Sequence, residues 1–259
     1  MQAVSSAKGR FVWFELMTLD VPAAIAFYSK VVGWETESWD GGGYTMWKVP
    51  GGLTIGGVMA LPDDAKAMGA PPSWIGNLCV ESVDAAVIQV AANGGTIYKP
   101  AFDVEGVGRV AIVADCCGAT FALYQPAAQA PGHEGAPNFG EISWSELLTD
   151  DEAKAWSFYS DVAGWVKGSS MDMGEMGTYQ MFGVTADPAG AVGGMFRRPP
   201  MAPVSMWQYY FYVADLDGAI AAATGSGGKL INGPTEIPGG DRVANLLDPQ
   251  GAAFSLHGK

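Results

Sequence analysis

The chain has 259 residues, 49% of them hydrophobic and 16% charged, with a formal net charge of −13. That is the balance of a soluble globular protein, long enough for two domains that each bury a core. The excess of carboxylates repels phosphate backbones and anionic membranes, which argues against nucleic acid or a membrane surface as a partner.

No apolar run approaches the roughly 20 residues needed to span a bilayer. The first ten residues, MQAVSSAKGR, lack the apolar core of a secretory signal. Three cysteines, two of them adjacent at Cys116 and Cys117, form neither a disulfide framework nor a zinc spacing. A cytoplasmic, reducing location is expected.

In chain order, residues 11–18 (FVWFELMT) read as a buried strand. Asp20 is positioned to cap a helix, with Pro22 where a missing N–H costs nothing, and Gly33 ends it. Strands are expected near 34–39, 44–49 and 53–60, with turns at Gly41-Gly42-Gly43 and Gly51-Gly52. Pro71-Pro72 breaks the chain and the order restarts: a strand at 74–81, a helix at 83–92 stopped by Gly94-Gly95, then strands at 96–100, 109–114 and 119–125. Each such unit is a helix crossover followed by a meander, βαβββ.

The chain then repeats. Residues 13–34 (WFELMTLDVPAAIAFYSKVVGW) recur 131 positions later at 144–165 (WSELLTDDEAKAWSFYSDVAGW), with 12 identities in 22 and no gap. Tyr179-Gln180-Met181-Phe182 answers Tyr44-Thr45-Met46-Trp47, and Gly193-Gly194 answers Gly56-Gly57. Residues 109–123 meet 242–256 with 8 identities in 15. The predicted architecture is α+β: four βαβββ modules in two tandem domains, 1–125 and 141–259, joined by an Ala/Pro/Gly-rich linker at 126–140. One chain supplying four modules predicts a monomer or a homodimer.

The opening pattern D-x-x-A-x-x-FY-x-x-V-x-GW and the closing turn D-P-x-G-x-x-F-x-L resemble the vicinal oxygen chelate superfamily of glyoxalases, bleomycin-resistance proteins and extradiol dioxygenases. They stand here at Asp20–Trp34, Asp151–Trp165 and Asp248–Leu256. The resemblance implies that paired modules curl into cups, each a glyoxalase/bleomycin-resistance-type domain. It also implies that metal-binding members carry His, Gln or Glu facing inward on first and last strands. Counting from the motifs puts those positions at Trp13, Trp144, Ile75, Gln208, Ala122 and Ser255. Trp, Ile, Ala and Ser are not metal donors, so neither metal nor other cofactor is expected.

Strand alternation sets Glu15 beside Trp13 and Glu146 beside Trp144 on the inward face. Two readings stand for these carboxylates: acid–base catalysis, or a buried Glu bonded to a neighbouring strand or paired with Arg109 or Arg242. Asn77, Tyr124, Gln208, Tyr210 and His257 join Trp13 and Trp144 as candidate substrate-binding residues, and Trp47 and Phe182 as possible aromatic walls. His257, close to the C-terminus, is exposed to fraying. His133, Glu134, Arg197 and Arg198 read as solvated loop residues, and Cys116-Cys117 as an unreactive turn. With one histidine in the linker and one near the end, no Ser-His-Asp set is expected, and no Gly-rich phosphate loop joins a strand to a helix. The expected function is metal-independent binding of a small organic ligand. The alternative is a lyase or isomerase acting on an aldehyde or thiol adduct through Glu15 and Glu146.

Overall fold

The computed structural model describes residues 7–39, 43–133, 135–185, 187, 190–200 and 202–259. The turn glycines Gly41 and Gly42 and the linker residue Glu134 lie outside the described residues.

The first half runs β1 (Phe11–Thr18), α1 (Val21–Val31), β2 (Glu35–Trp39), β3 (Tyr44–Lys48), β4 (Thr54–Ala60), α2 (Asp63–Ala67), β5 (Ser73–Cys79), α3 (Val83–Ala92), β6 (Thr96–Val104), β7 (Gly108–Ala114) and β8 (Thr120–Pro126). The second half runs β9 (Ile142–Thr149), α4 (Glu152–Ala163), β10 (Val166–Asp172), β11 (Thr178–Gly183), β12 (Ala191–Arg197), β13 (Met206–Val213), α5 (Leu216–Gly225), β14 (Lys229–Glu236), β15 (Arg242–Leu247) and β16 (Ala253–Gly258). Apart from the short helix α2 and a 3-10 turn at Gly174–Met176 between β10 and β11, both of which patterning missed, the order is βαβββ four times. Among the described residues no helix is long and apolar enough to cross a membrane.

The helices begin where short polar side chains satisfy orphan N–H groups. Asp20 accepts from the Ala23 amide, Ser82 from Ala85, Asp151 from Lys154 and Asp215 from Gly218. Gly164 ends α4 in the left-handed region at φ 71°, which a residue with a Cβ adopts only under strain.

Each half forms one eight-stranded sheet, in the orders β2-β3-β4-β1-β5-β8-β7-β6 and β10-β11-β12-β9-β13-β16-β15-β14. Within every module the first and last strands pair in parallel, as a crossover helix requires. Packing divides the chain differently. One compact unit holds residues 7–12, Gly76–Ala130 and Ser145–Trp207; the other holds Trp13–Ile75, Pro131–Trp144 and Gln208–Lys259. The second module thus packs with the third, and the first with the fourth.

The two recurrent motifs explain that exchange. In the unit of modules one and four, the phenol of Tyr28 donates to the Asp248 carboxylate at 3.1 Å and accepts from the Trp74 indole at 2.9 Å. In the unit of modules two and three, Tyr159 does the same with Asp115 (3.1 Å) and Trp207 (2.9 Å). Each aspartate also closes its own turn, Asp115 accepting from the Cys117 and Ala119 amides and Asp248 from Gln250 and Ala252. The FY of the helix and the Asp of the closing turn are therefore two ends of one bond.

Aromatic rings fill both cores. Tyr28 packs against Trp34, Trp47, Trp74, Phe211 and Phe254, and Tyr159 against Phe121, Phe158, Trp165 and Trp207. Such side chains contribute roughly 1.5–3 kcal/mol each on full burial. Trp47 and Phe182 are among them, both fully buried. That corrects their expected place as walls of a binding face.

Candidate functional site

On β1 the residues Phe14, Leu16 and Thr18 are buried, whereas Trp13, Glu15 and Met17 are partly exposed on the opposite face. There the Trp13 indole N–H donates to the Tyr44 hydroxyl at 2.8 Å, and that hydroxyl donates to Glu15 at 3.0 Å. Tyr44 comes from β3, two strands away, and reaches Glu15 by lying over Gly57 of β4. A Cβ on Gly57 would sit 2.1 Å from the phenolic oxygen. Burial first, and then the Glu15 charge, push the Tyr44 phenol well above its ordinary pKa, so it remains a proton donor.

The second half repeats the geometry. Tyr179 of β11 crosses Gly194 of β12, where a Cβ would lie 2.3 Å from its ring, and donates to the buried Glu146 at 2.9 Å. The carboxylates are thus bonded by tyrosines. Arg109 is held by Asp84 and Asp103, and Arg242 by Asp217, which corrects the expected arginine partners. Tyr44 and Tyr179 were not among the sequence candidates, although both recur in the repeat ahead of a Gly-Gly pair.

The other candidates fall into separate clusters. Asn77 is buried on β5, opposite Ala122 of β8. Tyr124 donates to the Val107 carbonyl at 3.1 Å, and burial, with the neighbouring Cys79, raises its pKa. The buried Gln208 amide donates to Ser255 at 2.6 Å, and Ser255 donates to Asn245 at 3.0 Å. Tyr210 lies next to Ser255 in the β13–β16 register, and Trp144 stands on β9, half-exposed.

His257 is ordered within β16 rather than frayed. Its Nδ1 lies 2.8 Å from the Ser143 hydroxyl and its Nε2 lies 3.2 Å from the Asp241 carboxylate. Nε2 makes no hydrogen bond, so the Asp241 contact is one of proximity alone. The three side chains are neighbours in the fold, which the positions of the two histidines in the sequence did not suggest.

His133 is not simply solvated. Its Nε2 lies 2.9 Å from Glu141, which also accepts from the Asn138 amide at 2.8 Å. Burial alone would raise the Glu141 pKa, but the Asn138 bonds and His133 outweigh it and hold it low. Arg198, expected in solvent, bridges Asp150 and the Ala202 carbonyl. Burial and the neighbouring Cys117 push the Cys116 thiol up to about 12, consistent with an inert turn.

At the positions that the resemblance assigns to metal ligands, Trp13 presents an N–H donor and Ala122 has no donor atom, while Gln208 turns its amide N–H to Ser255. Among the described residues no three His, Cys, Asp or Glu side chains gather as a ligand set.

Repeated βαβββ modules with paired sheets define a class, and the chain belongs to the glyoxalase/bleomycin resistance protein/dioxygenase superfamily. That description matches residues 141–256, and "Bleomycin resistance protein-like N-terminal" matches residues 10–50. The chain is 36% identical over 250 residues to the "Putative glyoxylase CFP32" of Mycobacterium bovis, covering 94% of this chain and 92% of the relative. It is 30% identical over 268 residues to the "Anthracycline biosynthesis protein DnrV" of Streptomyces peucetius, covering 96% and 93%. In fold it is similar to the Mn(II)-bound glyoxalase from Novosphingobium aromaticivorans (TM-score 0.62, 17% identity, 97% of this chain and 82% of that one). It is likewise similar to the 2,3-dioxygenase LapB of a Pseudomonas species (TM-score 0.61, 14% identity, 96% and 92%).

Proposed function

We propose that this protein binds a small organic molecule, without a metal, on the sheet faces that carry Trp13 and Trp144. The observation that supports the reading most is the Trp13–Tyr44–Glu15 chain. It puts an indole, a phenol and a carboxylate where a metal ligand set would otherwise begin. An indole face suits a flat or amphipathic compound, and hydrogen-bonding groups at its edge fix orientation. Relatives named for anthracycline biosynthesis and as a glyoxylase fit a small organic ligand.

Ligand screening by tryptophan fluorescence tests this. Replacing Trp13 and Trp144 with Ala should abolish the ligand-induced change, and equal binding by the double variant would refute the site. Elemental analysis of untagged protein tests metal independence: near-stoichiometric zinc, nickel, iron or manganese would overturn it.

A second reading is favoured by the tyrosine partners. Because Tyr44 stays protonated beside Glu15, the pair can exchange a proton with a substrate next to a carbonyl, as a lyase or isomerase does. Glu15→Gln with Glu146→Gln should then lower turnover by about 100-fold or more. Full turnover by the double variant would sink it.

A further inference from the structure

We propose that Ser143, His257 and Asp241 form a nucleophilic set that hydrolyses neutral aryl esters, an activity separate from the function above. The three come from β9, β16 and the approach to β15, and they are brought together only by folding. Ser143 Oγ lies 2.8 Å from Nδ1 of His257 and 3.2 Å from the Tyr210 carbonyl, so the shorter contact favours sharing its proton with the ring. With that proton aimed at Nδ1, the tautomer places the ring's own proton on Nε2, facing the Asp241 carboxylate at 3.2 Å. A nucleophile, a base and a carboxylate that orients the base are the parts such a set needs, recognised by geometry and not by chain order. The Asp241 contact is close but unaligned, and catalytic hydrogen bonds are often long or poorly aligned before substrate binds.

The surroundings name the substrate. Tyr212 stacks on His257 with ring centroids 4.8 Å apart, and Phe139 packs against Tyr212 at 4.8 Å in a tilted arrangement. Both Phe139 and Tyr212 line an open cleft of about 460 Å³ with Val31, Val49 and Gly140. Tyr212 thus joins the cleft to the ring of His257, which does not itself line it, and an aromatic surface there suits an aryl leaving group. The net charge of −13 disfavours anionic esters.

The chemistry balances in two steps. Ser143 Oγ bonds the ester carbonyl carbon as its proton passes to Nδ1, and the carbonyl electron pair moves onto oxygen. Collapse breaks the bond to the aryl oxygen, which leaves as a phenol with the proton from Nδ1. Water then attacks the acyl-serine and gives a proton to Nδ1. The second collapse frees the carboxylic acid and returns that proton to Ser143.

The test uses the full chain with p-nitrophenyl acetate and, separately, a fluorophosphonate probe followed by peptide mapping. The expected results are a burst of p-nitrophenolate, one acetyl or phosphonyl group on Ser143, and a loss of about 100-fold or more in folded Ser143→Ala and His257→Gln. No label, a label on another residue, or full turnover by folded Ser143→Ala overturns the proposal. If Ser143→Ala fails to fold, mapping of the wild-type label still decides. Ligand binding read at Trp13 is independent of either outcome.

Discussion

Replacing Tyr28 with Phe removes one oxygen atom from the centre of a core and should cost about 2–4 kcal/mol. The hydroxyl is completely buried and makes two bonds, to the Asp248 carboxylate at 3.1 Å and from the Trp74 indole at 2.9 Å. A hydrogen bond to a carboxylate is worth about 1.5–3 kcal/mol, and a buried N–H left without a partner costs about 1–3 kcal/mol. Asp248 keeps the Gln250 and Ala252 amides, which limits the loss on its side. The ring remains, so no large cavity opens and the transfer term is small. Urea unfolding followed by tryptophan fluorescence reads the change as a lowered midpoint at constant slope. Tyr159→Phe should cost a similar amount through Asp115 and Trp207. The two tyrosines share no partner, so the double variant should lose the sum. A change under about 0.5 kcal/mol in Tyr28→Phe would mean that the bond between helix motif and closing turn carries no stability, and the account of how the modules pair would fail.

Three further predictions follow from the same geometry. Burial raises the folded-state pKa of Asp115 and Asp248, their hydrogen bonds offsetting it only in part. Their contribution is therefore greatest below the unfolded value of about 3.9 and is lost as pH rises through the folded value. The stability difference between the wild type and Asp115→Asn with Asp248→Asn should shift against the wild type across that window in pH-dependent urea melts; a pH-independent difference would refute it. Gly57→Ala should drive the Tyr44 ring off Glu15, because the new Cβ falls 2.1 Å from its oxygen. Trp13, bonded to that oxygen, should change its fluorescence, and an unchanged spectrum would count against the cluster. Cys79 and Cys116, raised to about 11 and about 12, should react slowly with a disulfide reagent at neutral pH in the folded protein. Rapid labelling of either would contradict this.

Much of the fold is legible in the chain because its signals are local. Asp20 and Asp151 cap amides three residues ahead, the glycines punctuate turns, and the repeat doubles whatever one half shows. The faces of β1 and β9 follow from a period of two, which is why Trp13 with Glu15 and Trp144 with Glu146 were legible as pairs sharing a face. What holds those carboxylates was not legible. Tyr44 is 29 residues from Glu15, and Tyr179 is 33 from Glu146. The link depends on strand register and on a glycine over which a ring can lie.

Bonds across still longer separations were beyond the sequence altogether. Tyr28 meets Asp248 across 220 positions and Ser143 meets His257 across 114. Spacing along the chain specifies which side of a strand a residue faces and where a helix begins. It does not specify which module packs on which. That choice is made when buried rings and carboxylates find partners, because a polar group withdrawn from water must be satisfied by whatever the other module brings. The sequence by itself determined the four modules, their caps and which residues share a strand face. Only the tertiary structure decided that module one joins module four, that tyrosines hold the paired carboxylates, and that a serine, a histidine and an aspartate meet.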